Sequence, residues 1–219
     1  MDRLTNIMKI LNFYKKKYKV LYLFITHQTN YKKTLHNCIS NYSDFLIVVG
    51  GQSSTYFDGS TLYLDVDDSY DGLPEKVYES MKKIVLNEKF KNYSHLCKLD
   101  SDMIIKKDFS QKILSKNDFF GFVQTVDGDR GWGKEKFSEK SKFRNYDYKG
   151  NYVPWCLGGY GYVVSFSAVK KIISENINFK NEPYEDLLIA KLLNHKGIYP
   201  NNFKKIREYI ISPSHKYLQ

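Results

Sequence analysis

Short runs of apolar residues recur along the chain, and the segments between them carry apolar residues at helical spacing. The runs at 20–26, 45–49 and 95–99 are rich in β-forming residues and predict strands that are buried on both faces. Helices are predicted over 31–40 and 184–194, and Pro74 beside Glu75 marks the start of another. Shorter strands are predicted at 61–65, 119–124, 160–165 and 209–212.

This alternation of strands and helices is typical of βαβ units and a mostly parallel sheet. The length of 219 residues fits one domain. We therefore predict an α/β fold, with a Rossmann-like, mostly parallel central sheet flanked by helices. The domain is predicted to span 20–219. Residues 1–19 are predicted to form a basic amphipathic extension, which either packs on the domain, as we expect, or lies on an anionic membrane surface.

Composition narrows the class of protein. The formal net charge is +10, but the lysines are spread along the chain and no nucleic-acid-binding motif accompanies them, so we expect a solvated basic surface and no nucleic-acid partner. Three widely spaced cysteines argue against a disulfide scaffold or a zinc site and predict buried, reduced thiols. No apolar run reaches the ~20 residues of a membrane span, and no secretory signal is visible, so a cytoplasmic location is expected.

The segment 127–152 differs from the rest, because it is rich in glycine and charge and poor in aliphatic residues. A loop of this length inside a compact domain is usually functional.

The most informative residues are Asp100-Ser101-Asp102, which directly follow a predicted buried strand. Ligands of open α/β sheets bind at the carboxyl ends of strands. Side chains alternate along an extended segment, so Asp100 and Asp102 can point the same way and hold Mg²⁺ or Mn²⁺ against a diphosphate. The same pattern also occurs in ordinary surface turns, which remains the alternative.

Other candidate residues are individually ambiguous. Glu185-Asp186 open a helix, where carboxylates either complement the helix dipole or supply a general base. Gly158 and Gly159 permit either close approach of a ligand or an ordinary bend. His215 either completes a Mn²⁺ site or is a bystander, and Lys216 meets either a phosphate or solvent.

Four segments in order resemble glycosyltransferase family 31, the β-1,3-galactosyltransferase and N-acetylglucosaminyltransferase family, which has the GT-A fold. The similarity covers about residues 40–215. The matching segments are D-V-D-D-S-Y at 65–70, continuing to Leu73 and Lys76, then K-L-D-S-D at 98–102, V-P-W-C at 153–156 with G-G-Y-G-Y-V-V-S at 158–165, and E-D-L at 185–187.

The resemblance implies a role for each matching position. Asp102 would bind the metal directly, Asp100 would lie near the ribose or reach the metal through water, and Asp186 would be the catalytic base of an inverting transfer. Lys76 would lie near the donor, and His215 would help to bind the metal. The full set of expected donor-binding residues is Thr26, Lys76, Asp100, Ser101, Asp102, Gly158, Gly159 and Lys216, and the expected metal ligands are Asp100, Asp102 and His215.

The implied activity is a metal-dependent, inverting transfer of a sugar from a UDP-sugar to a hydroxyl of a glycan or glycoprotein, with Mn²⁺ or Mg²⁺ as cofactor. Two alternatives stay open: a retaining GT-A enzyme, and a basic, non-catalytic module that binds polyanions. The segment 127–152 would border the acceptor or form a lid. Trp132 and Trp155 are candidate sugar-stacking platforms, although Trp155 also suits the core, and Asp127, Asp129 and Glu135 are alternative bases.

The chain departs from the family pattern at three places. Ser101 replaces the middle aspartate of the metal motif, Pro74 replaces the usual threonine, and the first helix lacks the family's Arg/Trp-rich sequence. The membrane anchor and luminal cysteines of Golgi members are not seen, which again favours the cytosol. The Lys/Asn/Tyr/Ile-rich composition fits a large DNA virus with an AT-rich genome.

Overall fold

The computed structural model describes residues 18–125, 133–145 and 148–212. Several predictions concern residues outside these ranges and are not addressed by the structure. They concern residues 1–17 of the amphipathic extension, the candidate bases Asp127 and Asp129, the candidate stacking residue Trp132, and the tail residues His215 and Lys216.

A single large sheet organises the domain, in the strand order β11-β7-β10-β5-β1-β2-β4-β3. The strands that pair parallel are β5 with β1, β1 with β2, β2 with β4, and β11 with β7. The remaining neighbours in this sheet are antiparallel. Two-stranded sheets join β12 with β6 and β8 with β9. The predicted α/β fold with a mostly parallel central sheet is confirmed.

The strands are β1 (Val20–Thr26), β2 (Phe45–Val49), β3 (Tyr56–Asp58), β4 (Thr61–Tyr63), β5 (His95–Asp100), β6 (Ile104–Ile105), β7 (Phe119–Gly121), β8 (Val123–Gln124), β9 (Trp155–Cys156), β10 (Tyr162–Ser165), β11 (Asn201–Asn202) and β12 (Ile210–Ile211). The helices are α1 (Tyr31–Asn41), α2 (Leu73–Val85), α3 (Gln111–Leu114), α4 (Lys142–Asn145), α5 (Phe166–Lys170) and α6 (Glu185–His195). Short 3-10 turns occupy Gln28–Asn30, Glu88–Phe90, Lys134–Lys136, Gly158–Tyr160, Phe179–Asn181 and Lys204–Glu208.

Both faces of the sheet are covered, which explains the continuous apolar runs. Successive side chains of β1 point to opposite faces, so Leu23 belongs to the core under α2, α5 and α6, while Phe24 belongs to the core on the other face. Both side chains are fully buried. Burial of one such side chain stabilises the fold by about 1.5–3 kcal/mol, so the central strands are held in place from both sides.

The chain leaves the predicted pattern near two strand ends. The predicted strand at 119–124 divides at Phe122, so that β7 stays in the main sheet and β8 pairs with β9. The last predicted strand becomes β12, which pairs antiparallel with β6. This pairing brings the end of the described chain beside the acidic turn that follows β5, because β6 lies directly after that turn.

Two further observations concern the cysteines and the length of the helices. Cys38, Cys97 and Cys156 are free and buried, as predicted. Within the described ranges, no helix is both long enough and apolar enough to cross a membrane.

Candidate active site

The carboxyl ends of β1, β2 and β5 lie side by side, because these strands run parallel with β1 in the middle. Ile25 of β1 is paired with Asp100 of β5, so the acidic turn starts at the same edge at which β1 ends. The helix α6 reaches this edge with its first residues, Glu185 and Asp186, which are 5% and 3% exposed. The sheet therefore brings the two carboxylate motifs of the sequence to one place.

Lys98 joins the two motifs through a buried ion-pair cluster. Its Nζ lies 2.6 Å from Asp100 Oδ1 and 2.8 Å from Glu185 Oε1. The Lys98 side chain is 1% exposed, whereas that of Asp100 is 44% exposed. The cluster thus runs from the solvent side at Asp100 to the interior at Glu185.

Burial and the neighbouring charges shift the pKa values of Glu185 and Lys98. Burial raises the pKa of the Glu185 carboxyl, and the Lys98 ammonium opposes that rise. Burial alone would lower the pKa of Lys98, but the charges of Asp100 and Glu185 outweigh it and raise the pKa. The lysine therefore stays protonated in the interior because two carboxylates surround it.

Two backbone amides hold the carboxylate of Asp186. The Gly158 N–H donates to Asp186 Oδ2 and the Leu187 N–H donates to Asp186 Oδ1, each at 2.9 Å. Hydrogen bonds from backbone amides to a carboxylate are charge-assisted, so they fix its orientation. The two amides therefore fix the orientation of this carboxylate at the start of α6.

Gly158 is required by packing against these acids. A Cβ at this position would lie 2.4 Å from Glu185 Oε1 and 3.3 Å from Asp186 Oδ2. Its carbonyl also faces Lys98 Nζ at 3.5 Å. The close approach that the glycine permits is thus to the carboxylates of α6.

A cavity of about 300 Å³ opens over this group. Its walls combine carboxylates, a Gly-Gly backbone and two tyrosine rings that face cations. Lys136 Nζ lies 5.7 Å from the Tyr70 ring centroid, and the Arg207 guanidinium lies 4.3 Å from that of Tyr160. The lining residues are Tyr70, Leu73, Lys98, Asp100, Gly133, Lys136, Leu157, Gly158, Gly159, Tyr160, Tyr184, Glu185 and Asp186.

Asp102 lies on the exposed side of the same turn, and Ser101 between the two aspartates is half-buried. The Ser212 hydroxyl donates to Asp102 Oδ2 at 3.3 Å. Among the described residues, no group of three or more His, Cys, Asp or Glu side chains forms a complete metal site. The described part of the turn therefore offers carboxylate oxygens only from Asp100 and Asp102.

Lys76 and Thr26 lie at the ends of neighbouring elements and are both buried. Lys76 Nζ donates to Asp68 Oδ1 at 2.6 Å, and the Gly50 N–H donates to the same oxygen at 2.9 Å. The Gln28 N–H donates to Asp68 Oδ2 at 2.8 Å. The ammonium of Lys76 is thus committed to holding the strand ends together, and its contact with a donor stays a prediction.

The burial of Trp155 and the exposure of Glu135 bear on two further sequence predictions. Trp155 is fully buried in the main core, so it packs and offers no stacking face. Glu135 is the one alternative base that lies within the described residues, and it is exposed in a short turn. The structure brings together Asp100, Gly158, Gly159 and Asp186 around one cavity.

Lys98, Tyr162 and Asp68 are site residues that motif reasoning left without a role. Lys98 carried a readable signal, because a lysine inside the apolar run 95–99 must find a buried counter-charge. The sequence alone does not reveal that Glu185 supplies half of it.

The comparison with curated proteins found no match. Among solved structures, a protein described as a glucose-1-phosphate thymidylyltransferase of Bacillus anthracis, in complex with a sucrose, is similar at 13% identity and a TM-score of 0.42, over 83% of this chain and 86% of that one.

The family model described as Galactosyltransferase matches residues 43–204, about three quarters of the chain. That range contains β2 and β5, the acidic turn, the Gly-Gly segment and α6. The chain therefore belongs to the galactosyltransferase family and is a glycosyltransferase.

Proposed function

We propose that this glycosyltransferase moves a sugar from a UDP-sugar donor to a hydroxyl of a glycan or glycoprotein, with a divalent cation and with inversion at the anomeric carbon. The observation that carries the proposal is the convergence of Asp100 and Asp186 on one cavity, from β5 and α6. A donor held at Asp100 would present its anomeric carbon to an acceptor hydroxyl held at Asp186.

The donor set of the acidic turn fits Mn²⁺ or Mg²⁺. Asp100 and Asp102 supply hard carboxylate oxygens, and Mg²⁺ is commonly bound by one or two carboxylates together with substrate phosphates. When bound, such a cation neutralises the charge that develops on a departing diphosphate.

The predicted third ligand, His215, lies outside the described residues. The Ser212 hydroxyl contacts Asp102, and His215 follows three residues later in the sequence. We propose Asp100, Asp102 and His215 as the metal-binding residues, with Lys216 beside the diphosphate.

Asp186 suits the part of general base better than Glu185. Both oxygens of Glu185 have close partners, since Oε1 pairs with Lys98 and Oε2 accepts from the Tyr162 hydroxyl at 3.0 Å. Using Glu185 as a base would break a buried ion pair, which is costly. Asp186 also lines the cavity, where the Gly158 and Leu187 amides orient its carboxylate.

In the proposed step, the acceptor oxygen forms a bond to the anomeric carbon as the bond from that carbon to the diphosphate breaks. The acceptor proton passes to Asp186, and the electron pair of the broken bond leaves with the nucleoside diphosphate. Holding both substrates in one cavity supplies much of the rate, because it removes the entropy cost of their encounter. Gly158 and Gly159 line the cavity and would shape its donor side, whereas contacts of Thr26 and Ser101 with the donor stay predictions from the sequence.

A panel of nucleotide sugars, incubated with acceptor glycans with and without Mn²⁺, tests the proposal. We expect transfer from a UDP-sugar only with the cation, and NMR of the product should show the inverted anomer. Asp186→Asn keeps the size of the side chain and should retain UDP binding while turnover falls by ~10²–10⁴.

Three outcomes would count against this proposal. A retained anomer would favour the retaining alternative, and full activity of Asp186→Asn would refute the base. Binding of heparin or DNA without any sugar transfer would return attention to the polyanion-binding alternative, which membership of an enzyme family already disfavours. A cytoplasmic location and a viral origin stay predictions from the sequence.

A further inference from the structure

Lys98 is an internal cation that the proposed transfer step does not use. We infer that Lys98 is a positioning residue, whose ammonium sets the carboxylate of Asp100 on the donor side relative to the helix start that carries Asp186. This inference rests on the proposed function, because it assigns Lys98 to the same reaction.

The position of the ammonium is fixed by the sheet. Lys98 and Asp100 are two residues apart on β5 and share one face of the strand. This strand is bordered by β1 and β10, so its backbone is paired on both sides. Nζ lies 2.6 Å from Asp100 Oδ1, which leaves Oδ2 of that carboxylate for another partner. The lysine thus selects one orientation of a side chain that is otherwise half exposed.

Glu185 is anchored from the same strands. Tyr162 of β10 is directly opposite Lys98 of β5 in the strand register. The Tyr162 hydroxyl donates to Glu185 Oε2 at 3.0 Å, while Lys98 Nζ contacts Oε1 at 2.8 Å. Two cross-strand neighbours therefore hold the two oxygens of one carboxylate, and with it the first turn of α6.

The Gly158 peptide closes the arrangement. Its carbonyl faces Lys98 Nζ at 3.5 Å, and its N–H donates to Asp186 Oδ2 at 2.9 Å. A substitution of Lys98 should therefore shift the carboxylate of Asp100 directly and that of Asp186 indirectly, through Glu185 and Gly158. Partners that orient a metal-binding carboxylate typically change metal affinity or activity by 10- to 100-fold when they are removed.

Fold stability alone gives little reason for a lysine here. A buried ion cluster can often be replaced by apolar residues of similar volume without loss of stability. The variant Lys98→Met/Glu185→Met removes both buried charges together, so it should fold. It nevertheless leaves Asp100 without its partner, and this separates positioning from folding.

The experiment measures Mn²⁺ affinity in the presence of UDP, donor KM and kcat for the wild type, for Lys98→Met, for Lys98→Met/Glu185→Met and for Lys98→Ala. The control is Lys191→Met, which removes a lysine whose Nζ pairs with Glu182 at 2.7 Å outside the site cavity. Lys98→Ala is also assayed with n-propylammonium, which matches the deleted atoms, and with neutral 1-propanol.

We expect the folded double variant to lose 10- to 100-fold in Mn²⁺ affinity or kcat, while Lys191→Met keeps wild-type values for both. We also expect n-propylammonium, but not 1-propanol, to restore part of the activity of Lys98→Ala.

Wild-type values for the double variant would overturn the inference. So would losses in the Lys98 variants that merely follow their melting temperatures, with no rescue by the amine. If the wild type itself shows no cation-dependent use of a UDP-sugar, the proposed function fails and the inference fails with it. If the wild type is active and the Lys98 variants match it in Mn²⁺ affinity and kcat, the inference about Lys98 is refuted while the proposed function stands.

Discussion

The ion pair between Asp68 and Lys76 gives a quantitative test of how the ends of β1 and β2 are held in place. Lys76 is fully buried and Asp68 is mostly buried, with Nζ and Oδ1 separated by 2.6 Å. Asp68→Ala leaves the ammonium in the interior and removes the acceptor of the Gly50 and Gln28 amides. Breaking a buried pair by removing one partner costs about 3–5 kcal/mol of the free energy of unfolding.

For a chain of this size, each kcal/mol shifts the melting temperature by about 2–4 °C. Asp68→Ala should therefore melt about 6–20 °C below the wild type, with the lower part of that range expected because the Asp68 side chain is 19% exposed. The matched control is Glu208→Ala, which breaks an exposed pair with Lys107 at 3.2 Å. An exposed pair contributes about 1 kcal/mol or less, so its shift should stay below about 4 °C.

Differential scanning calorimetry of the two variants and the wild type decides the matter. The second variant Lys76→Met/Asp68→Asn should recover a large part of the loss, because no buried charge is then left without a partner. If Asp68→Ala melts within the range of Glu208→Ala, the pair does not hold the strand ends and the reasoning is refuted.

Three further outcomes follow from the same structure. Gly158→Ala places a methyl group 2.4 Å from Glu185 Oε1. Overpacking of this kind should lower the free energy of unfolding, measured by urea titration, by about 1–3 kcal/mol and should also reduce turnover. A variant with unchanged stability would contradict the close packing at Gly158. Burial alone would raise the pKa of Asp68, but hydrogen bonds from Lys76, Gln28 and Gly50 lower it. The stability that this carboxylate contributes is therefore fully present above its ordinary pKa of 3.8 and is lost as the pH falls through the lowered pKa. Melting temperatures followed into acid should therefore decline below that pH, and decline less in Asp68→Asn. Burial raises the pKa of Cys38 to about 12 and raises those of the other two cysteines, so thiol reagents should react with the native protein only as fast as it opens.

The sequence predicts the elements whose burial is complete. Strands β1, β2 and β5 are found within about one residue of their predicted bounds, because continuous apolar runs need cover on both faces. The antiparallel placement of β10 was not predictable from its own residues, since its apolar run would suit either direction. The division between β7 and β8 at Phe122 likewise depends on a partner, β9, that lies far along the chain.

The candidate site shows the same limit. Asp100 and Asp186 could be found from motifs, because carboxylates at a strand end and at a helix start are local features. Their connection through Lys98 depends on tertiary contacts with Glu185 and Tyr162. The sequence left Trp155 open between a stacking platform and the core, and its burial assigns it to the core, because exposure depends on what packs over a residue and not on its type.

The central claim is that the carboxylates of the acidic turn bind a nucleotide diphosphate through a divalent cation, and calorimetric titration of UDP tests it most directly. Asp102→Asn is the sharpest variant, because Asp102 is exposed and asparagine can still accept from the Ser212 hydroxyl. The account predicts that UDP binds the wild type only when Mn²⁺ is present, and that Asp102→Asn loses this binding while its melting temperature is unchanged. UDP binding that is equally strong without Mn²⁺, or in Asp102→Asn with Mn²⁺, would contradict it.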